Sequence, residues 1–437
     1  MAATVVLGGG LAGLAYAHYS QTPCLVLERA EQVGGMARSF AHDTPAGRFW
    51  FDCTGHWLHL KDREVAALVD TLLGQTLLRI QRRASIYSHG RLTPYPFQAN
   101  TYGLPEHVVA DCVLGFFRAR EQQLSGEVPE PDNFEAYIRQ QMGDGIAEHF
   151  MLPYNTKLWT VPPKEMAYSW CKRFVPTPTP QEVVWGAIKP AGAGHALGYN
   201  SQFYYPSAGG IGQLATTLAA TLPHGSVRTG VAALEVDLDA KVVRTSTGER
   251  IGYDALVSTI ALPDFIGMLA HAPETIRNAA ARLRAVDVTH WNVGVSGEQQ
   301  STAPHWIYFP ESHVPFYRVG SPSAAAGHLA PKGYRSYYVE VSHKRGTPPP
   351  VETEQILEGL YQVGLLGRDD AVLFANPTTL DAAYVLMDHD YGANREAILA
   401  WLEQQRVQSI GRYGSWTYDS MEGAIVQGRD AARRAPL

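Results

Sequence analysis

Residues 50–60 read WFDCTGHWLHL, which sets Cys53, His56 and His59 at intervals of three. Thiolate and imidazole at such spacing can hold a transition metal, provided the side chains converge and further ligands arrive from elsewhere. On a strand, His56 and His59 point to opposite faces and only Cys53 and His59 share one. A helix would align all three, but Gly55 and the aromatic neighbours argue against a helix. The other cysteines, Cys24, Cys112 and Cys171, are scattered without a CxxC pair, so no second ligand pair follows. No metal is expected. The histidines then belong to a core strand or to the wall of another site.

A second chemistry precedes them. Residues 4–7 are a short, mostly β-branched run, followed by Gly8-x-Gly10-x-x-Gly13, a helix-compatible stretch, and a second apolar run that ends at Glu28. Gly8 permits a tight turn, Gly10 lets backbone approach a pyrophosphate, and Gly13 brings helix and strand together. The helix N-terminus faces the anion, and a carboxylate at the end of the second strand can accept from ribose hydroxyls. Six residues after Glu28, VGGMARS brings a second glycine pair, Gly34 and Gly35, and Arg38, which can reach a phosphate.

GxGxxG followed by ERAEQVGGMARS resembles the two-part FAD fingerprint of the amine oxidase, protoporphyrinogen oxidase and UDP-galactopyranose mutase superfamily. The resemblance implies FAD as cofactor, held by Gly8, Gly10, Leu11, Ala12, Gly13, Glu28, Arg29, Gly35, Met36, Ala37 and Arg38. Val227 would lie along the adenine, and Arg412 and Met421 would return to the flavin. TGHWLHL, PYNTKLWTVPPKEM, VPFYRVGS and GRYGSWTYDSMEGAI resemble segments of the mutase-like branch. They would place His56 beside the isoalloxazine ring with His59 behind it, Tyr154 and Trp159 around the nucleotide base, and Arg318 and Tyr418 on the substrate phosphates. His56, Arg318 and Tyr418 are thus the expected catalytic residues.

Three departures stand out. Thr177 occupies about the position of the mutases' second arginine, with Lys172 and Arg173 close by. GTPPP replaces a paired-tyrosine segment after SYYVEVSHK. Ser420 stands where the closing motif has aspartate, with Asp419 beside it.

These residues need elements to position them. The implied fold class is α/β: a discontinuous Rossmann-like FAD-binding domain (1–75, 205–265 and 405–437), a mainly helical cap (76–204), and a substrate domain with an antiparallel sheet (266–404). Residues 61–204 read as largely helical, with RLTPYPFQ as an extended turn and FVPTPTPQ as a break. SVRTGVAALEVD, KVVRTSTGERI and DALVSTIALP read as strands, and a substrate sheet is expected over roughly 285–345. GAGHALG at 192–198 follows Lys189-Pro190 instead of a strand, and reads as a plain loop.

At 437 residues the chain suits two or three lobes. A net charge of −6 gives no electrostatic case for nucleic acid. Met1 to Leu27 carries no charged side chain, but its glycines, Pro23 and the polar run 18–22 break any apolar helix, and no basic start marks a signal peptide. No membrane span and a cytoplasmic location are expected; dispersed cysteines fit a reducing compartment.

The reading that follows is a flavoenzyme acting on a nucleotide-activated sugar or related glycosyl compound, N5 of reduced FAD attacking the anomeric carbon. An external reductant would bind transiently. An oxidoreductase abstracting hydride from an amine or a C–C bond is the alternative. A non-catalytic binding protein on the same fold is a third.

Overall fold

The computed structural model describes residues 2–126, 128–171, 175–190 and 201–434. The β-branched run near the N-terminus becomes the strand Ala2–Leu7, paired in parallel with Cys24–Leu27 on one side and Arg250–Ser258 on the other. Val227–Arg228 adds beyond Cys24–Leu27, and Val407–Ser409 pairs in parallel with Arg250–Ser258. One sheet therefore gathers strands from three distant parts of the chain. Ala2–Leu7 and Cys24–Leu27, AATVVL and CLVL, are almost wholly apolar, as strands covered on both faces are. Val5 and Leu7 pack toward Leu262, Phe265 and Leu402, while Val6 packs on the opposite face with Tyr16 and Ala431.

The second sheet aligns Val372–Leu386, Arg284–Ser296, Tyr334–Lys344, Arg318–Gly320 and Trp306–Tyr308 as antiparallel neighbours. Alternate residues divide its faces. Trp291, Val293, Val339 and Val341 pack with Ile356 and Leu360 in one core. Val288, Arg318 and Glu340 turn the other way, toward the first domain.

Four expectations about helices and strands need correction. Residues 61–204 are less helical than the sequence suggests: Leu77–Gln81 pairs with Gln202–Pro206, and Ala84–Ser88 pairs with Arg91–Pro94. RLTPYPFQ is accordingly a strand followed by a 3-10 turn at Phe97–Ala99, not one extended turn. His89 and Gly90 both have positive φ, the geometry of a two-residue hairpin turn whose twist suits the flanking strands. Through Ala84–Ser88 this hairpin joins the second sheet, in parallel with Trp306–Tyr308. The sheet also extends past 345, because Val372–Leu386 is its edge strand. SVRTGVAALEVD is broken into Val227–Arg228 and Ala233–Asp237.

The helices Glu106–Ser125, Phe134–Ile146, Leu152–Trp159 and Pro180–Ile188 form the cap, around a core that includes Phe116, Phe134, Met142 and Trp159. GAGHALG, Lys172 and Arg173 lie outside the described residues. Among the described residues no helix is long and apolar enough to cross a membrane.

Candidate active site

The glycine turn behaves as its spacing requires. Gly8 has φ of +103°, and a side chain there would meet the Thr259 hydroxyl. A Cβ on Gly13 would overlap the Gly8 carbonyl oxygen, so helix Leu11–Tyr19 can rest on the turn only without one. That helix has Gly10 as its N-cap and no side-chain cap, which leaves its first amides for an anion. The Gly34 amide donates to the Gly9 carbonyl at 2.8 Å, laying VGGMARS over the turn. Glu28, buried at the end of its strand, accepts from the Gly9 and Ala30 amides at 2.8 Å each. Arg38 Nε donates to the Gly35 carbonyl at 2.7 Å.

A cleft of about 480 Å³ runs along these elements. Gly8, Gly10, Leu11, Ala12, Glu28, Arg29, Gly35, Met36, Ala37, Arg38, His56, Arg318, Arg412, Tyr418 and Met421 all line it. Gly13 does not line it but permits the turn. Val227 is a correction: it pairs with Val26 and packs under the sheet, while Ala232 and Ala233 form that part of the wall. Trp159 is another, being buried in the cap core with its indole N–H donating to Asn155 Oδ1 at 3.2 Å. Tyr154 also stays off the cleft wall, stacked on Phe150 and edge-on to Tyr308.

WFDCTGHWLHL ends the strand Gly47–Asp52 and turns at Thr54, which has positive φ. Buried Asp52 anchors the turn, accepting from Ser39 Oγ at 2.5 Å, the Tyr205 hydroxyl at 2.7 Å and the Ile211 amide at 3.1 Å. Burial raises the Asp52 carboxyl to about 6 despite these donors. His56 then faces the cleft, His59 turns away to bond the Gln202 carbonyl at 2.9 Å, and Cys53 packs with Val288 and Tyr317. His59 therefore does not back His56. Among the described residues no three His, Cys, Asp or Glu side chains could hold a metal ion.

Burial pulls the His56 imidazole down to about 4, helped by Arg412 and Arg318, so it is neutral at pH 7. Its Nδ1 is buried without a hydrogen-bond partner, as is Arg412 Nε. Arg412 Nη2 donates to the Ala383 carbonyl at 2.7 Å, and its guanidinium lies 4.9 Å over the Tyr418 ring and 5.4 Å over Tyr384. Those two rings are near-parallel, 6.1 Å apart.

Arg318 sits directly opposite Glu340 in the strand ladder and donates to both carboxylate oxygens, Nη2 to Oε1 at 2.7 Å. Burial alone would lower the Arg318 pKa, but Glu340 and the surrounding tyrosines raise it well above the ordinary value. Burial also raises the Tyr418 phenol, against Arg412 and Arg318.

Sequence reasoning missed Glu340, Tyr384 and Trp57 on this wall. Glu340 carried a signal, as a lone acid on the alternating face Tyr338, Glu340, Ser342 of a buried strand. Tyr384 carried none locally. It reaches the cleft because Val372–Leu386 bulges: Val286 pairs with Tyr384 but Val288 pairs with Leu380. Asp287 holds the bulge, accepting from the Ala382 amide at 2.8 Å and the Gly346 amide at 2.9 Å.

The whole chain can be compared with solved structures. It superposes on a reduced UDP-galactopyranose mutase with a TM-score of 0.91 at 26% identity, covering 99% of this chain and 93% of that one. The chain has the fold of UDP-galactopyranose mutase. A protoporphyrinogen oxidase candidate from Exiguobacterium sp. 255-15 matches at TM-score 0.71 and 16% identity, covering 98% and 97% of the two chains. A putrescine oxidase redesigned in its cofactor binding matches at 0.65 and 13%, covering 99% and 98%. These two share the fold. The model of the NAD(P)-binding Rossmann-like domain matches residues 6–72, the glycine turn through the helix Arg63–Leu73.

FAD is the cofactor on which the cleft, the Rossmann-like domain and the likeness to the mutase agree. The residues fit it: an uncapped helix end and glycine turn for the pyrophosphate, Glu28 for the ribose, and unsatisfied polar atoms on His56 and Arg412 at the reacting end.

Proposed function

We propose that this chain is a flavoenzyme of the UDP-galactopyranose mutase type, acting on a nucleotide-activated sugar or a related glycosyl compound. The observation that carries the reading is the meeting of Arg318, Arg412, Tyr384, Tyr418 and His56 at one end of a dinucleotide cleft. Reduced FAD would supply a nucleophilic nitrogen there, so no side-chain nucleophile is required. Arg318 and Tyr418 would hold the departing phosphates by charge and hydroxyl hydrogen bonding, at positions fixed before substrate arrives. Neutral His56 would offer one ring nitrogen as donor or acceptor at the flavin–substrate boundary. The tyrosine walls would limit water at the reacting carbon.

The aromatic pair Tyr384–Tyr418 favours a second reading, a cage for an amine oxidised by FAD. Arg412 weighs against it, because its guanidinium already lies over both rings and would repel a substrate ammonium. The deciding experiment incubates dithionite-reduced protein with a UDP-sugar panel and follows isomer formation. Parallel samples of oxidised protein receive amines and are monitored for peroxide. Isomerisation only after reduction supports the mutase reading; peroxide release with an amine, and no isomerisation, overturns it.

A further inference from the structure

Two acids on the cleft wall, Asp264 and Asp381, have no part in the chemistry above. They come from different halves of the fold. Asp264 lies in the helix Leu262–Met268, which follows Arg250–Ser258 and packs through Leu262 and Phe265 on the first sheet. Asp381 lies in Val372–Leu386, the edge strand of the second sheet. Unbalanced carboxylates facing a cleft that takes the FAD diphosphate would repel it. One residue balances both. Arg345, just past the end of Tyr334–Lys344, donates from Nη2 to both oxygens of Asp264 at 2.9 Å, and from Nε to Asp381 Oδ1 at 3.2 Å. A contact between the two sheets thus crosses the cleft wall.

The contact is built in by Asp287. Its buried carboxylate accepts from the amides of Ala382 and Gly346, the chain neighbours of Asp381 and Arg345, at 2.8 and 2.9 Å. Ala382 is thereby held at φ of +49°, a conformation that a residue with a β-carbon resists. One carboxylate therefore fixes both partners from the second sheet. The electrostatics agree: burial would lower the Arg345 pKa, but Asp381 and Asp264 raise it above the ordinary value. Burial would likewise raise the Asp381 carboxyl, and Arg345, with Arg29 from the same wall, holds it below. We propose that Arg345 is the positioning residue of a clasp over FAD: by tying Asp264 to Asp381 it joins the two sheets across the cleft and slows release of the cofactor. The clasp requires FAD and no particular flavin reaction, so it goes beyond the mutase reading and is tested apart from it.

The test dilutes FAD-loaded protein and follows free flavin by its fluorescence, comparing wild type with R345Q, R345K, D264N and the double variant R345Q/D264N. R345Q should release FAD about 10-fold faster than wild type, the combined worth of two partly exposed ion pairs. R345K, which keeps the charge without the fork, should fall between. D264N should also speed release yet add nothing in the R345Q background, because Asp264 acts only through Arg345. Wild-type release from either R345Q or D264N overturns the clasp, and so does a double variant whose effect is the product of the two single ones. Should R345Q not fold or not take up FAD, D264N decides, since it cuts only the arm that joins the two sheets. Faster release from D264N then supports the clasp, and an unchanged rate overturns it.

Discussion

Arg318 and Glu340 face each other from adjacent antiparallel strands, and the guanidinium meets the carboxylate at two points inside the protein. The pair both points Arg318 at the cleft and makes its burial tolerable. Removing one member of a buried pair typically costs about 3–5 kcal/mol, because the other charge is left uncompensated. E340A should therefore unfold at clearly lower urea than wild type. The double variant R318M/E340L should recover much of that loss while remaining inactive. Equal destabilisation of the single and double variants would show that the orphaned charge is not the cause.

Lys157 holds the segment that leads into Arg318. Its ammonium donates to the carbonyls of Phe309, Glu311, Val314 and Phe316 at 2.7–2.9 Å. Burial pulls its pKa down to about 7, whereas four carbonyl acceptors favour the charged form. K157M leaves those carbonyls without their donor, at a cost on the order of 1–3 kcal/mol. Hydrogen exchange should accelerate over residues 309–316 and stay unchanged in the Ala2–Leu7 strand. Uniform acceleration would point to global loosening instead.

Acid should destabilise the fold through histidine. Burial lowers His56 to about 4 and His305 to about 3, from an ordinary 6.5. The unfolded chain takes up protons that these folded imidazoles refuse. Stability is therefore full above pH 6.5, falls as the pH drops through the folded values, and is lost by roughly 3 kcal/mol for His56 alone. His305 lies off the cleft wall, so H305Q offers a clean check. Its unfolding midpoint should depend less steeply on pH between 6.5 and 4 than that of wild type, and an unchanged slope would rule out His305 as a contributor.

The glycine turn makes a sharper prediction. In G13A the new methyl group would press on the Gly8 carbonyl and lie 3.2 Å from a Val6 methyl. Overpacking of this kind costs about 1–3 kcal/mol, and here it would open the turn that faces the pyrophosphate. G13A should purify with a clearly lower flavin-to-protein absorbance ratio than wild type. Stoichiometric flavin in G13A would contradict this account of the turn.

The dinucleotide half of the site was legible because its signals are local. The turn, the helix end, Glu28 and the glycine pair fall within about 30 residues, and each residue type follows from backbone geometry. Arg318, Arg412 and Tyr418 could be found only through motif resemblance, since nothing local tells a cleft arginine from a surface one. Trp159 misled for the converse reason: an aromatic in a recognisable motif was read as a platform, yet cap packing buries it. The hairpin at residues 84–94 did carry a signal, His89-Gly90 between alternating residues, but Pro94 and Pro96 obscured it. Tyr384 depended on pairing between strands almost a hundred residues apart.

The bulge that carries Tyr384 has a further consequence, for changes in chain length. Between Val286 and Val288 the partner strand advances from Tyr384 to Leu380, two residues more than a regular ladder would use. An even insertion leaves the alternation of faces in phase, so Leu380 and Tyr384 both look into the cleft. Losing Asp381 and Ala382 together would preserve that parity. Losing either one alone would turn Tyr384 and everything beyond it to the wrong side. Homologous chains should therefore differ in length here by two residues or by none.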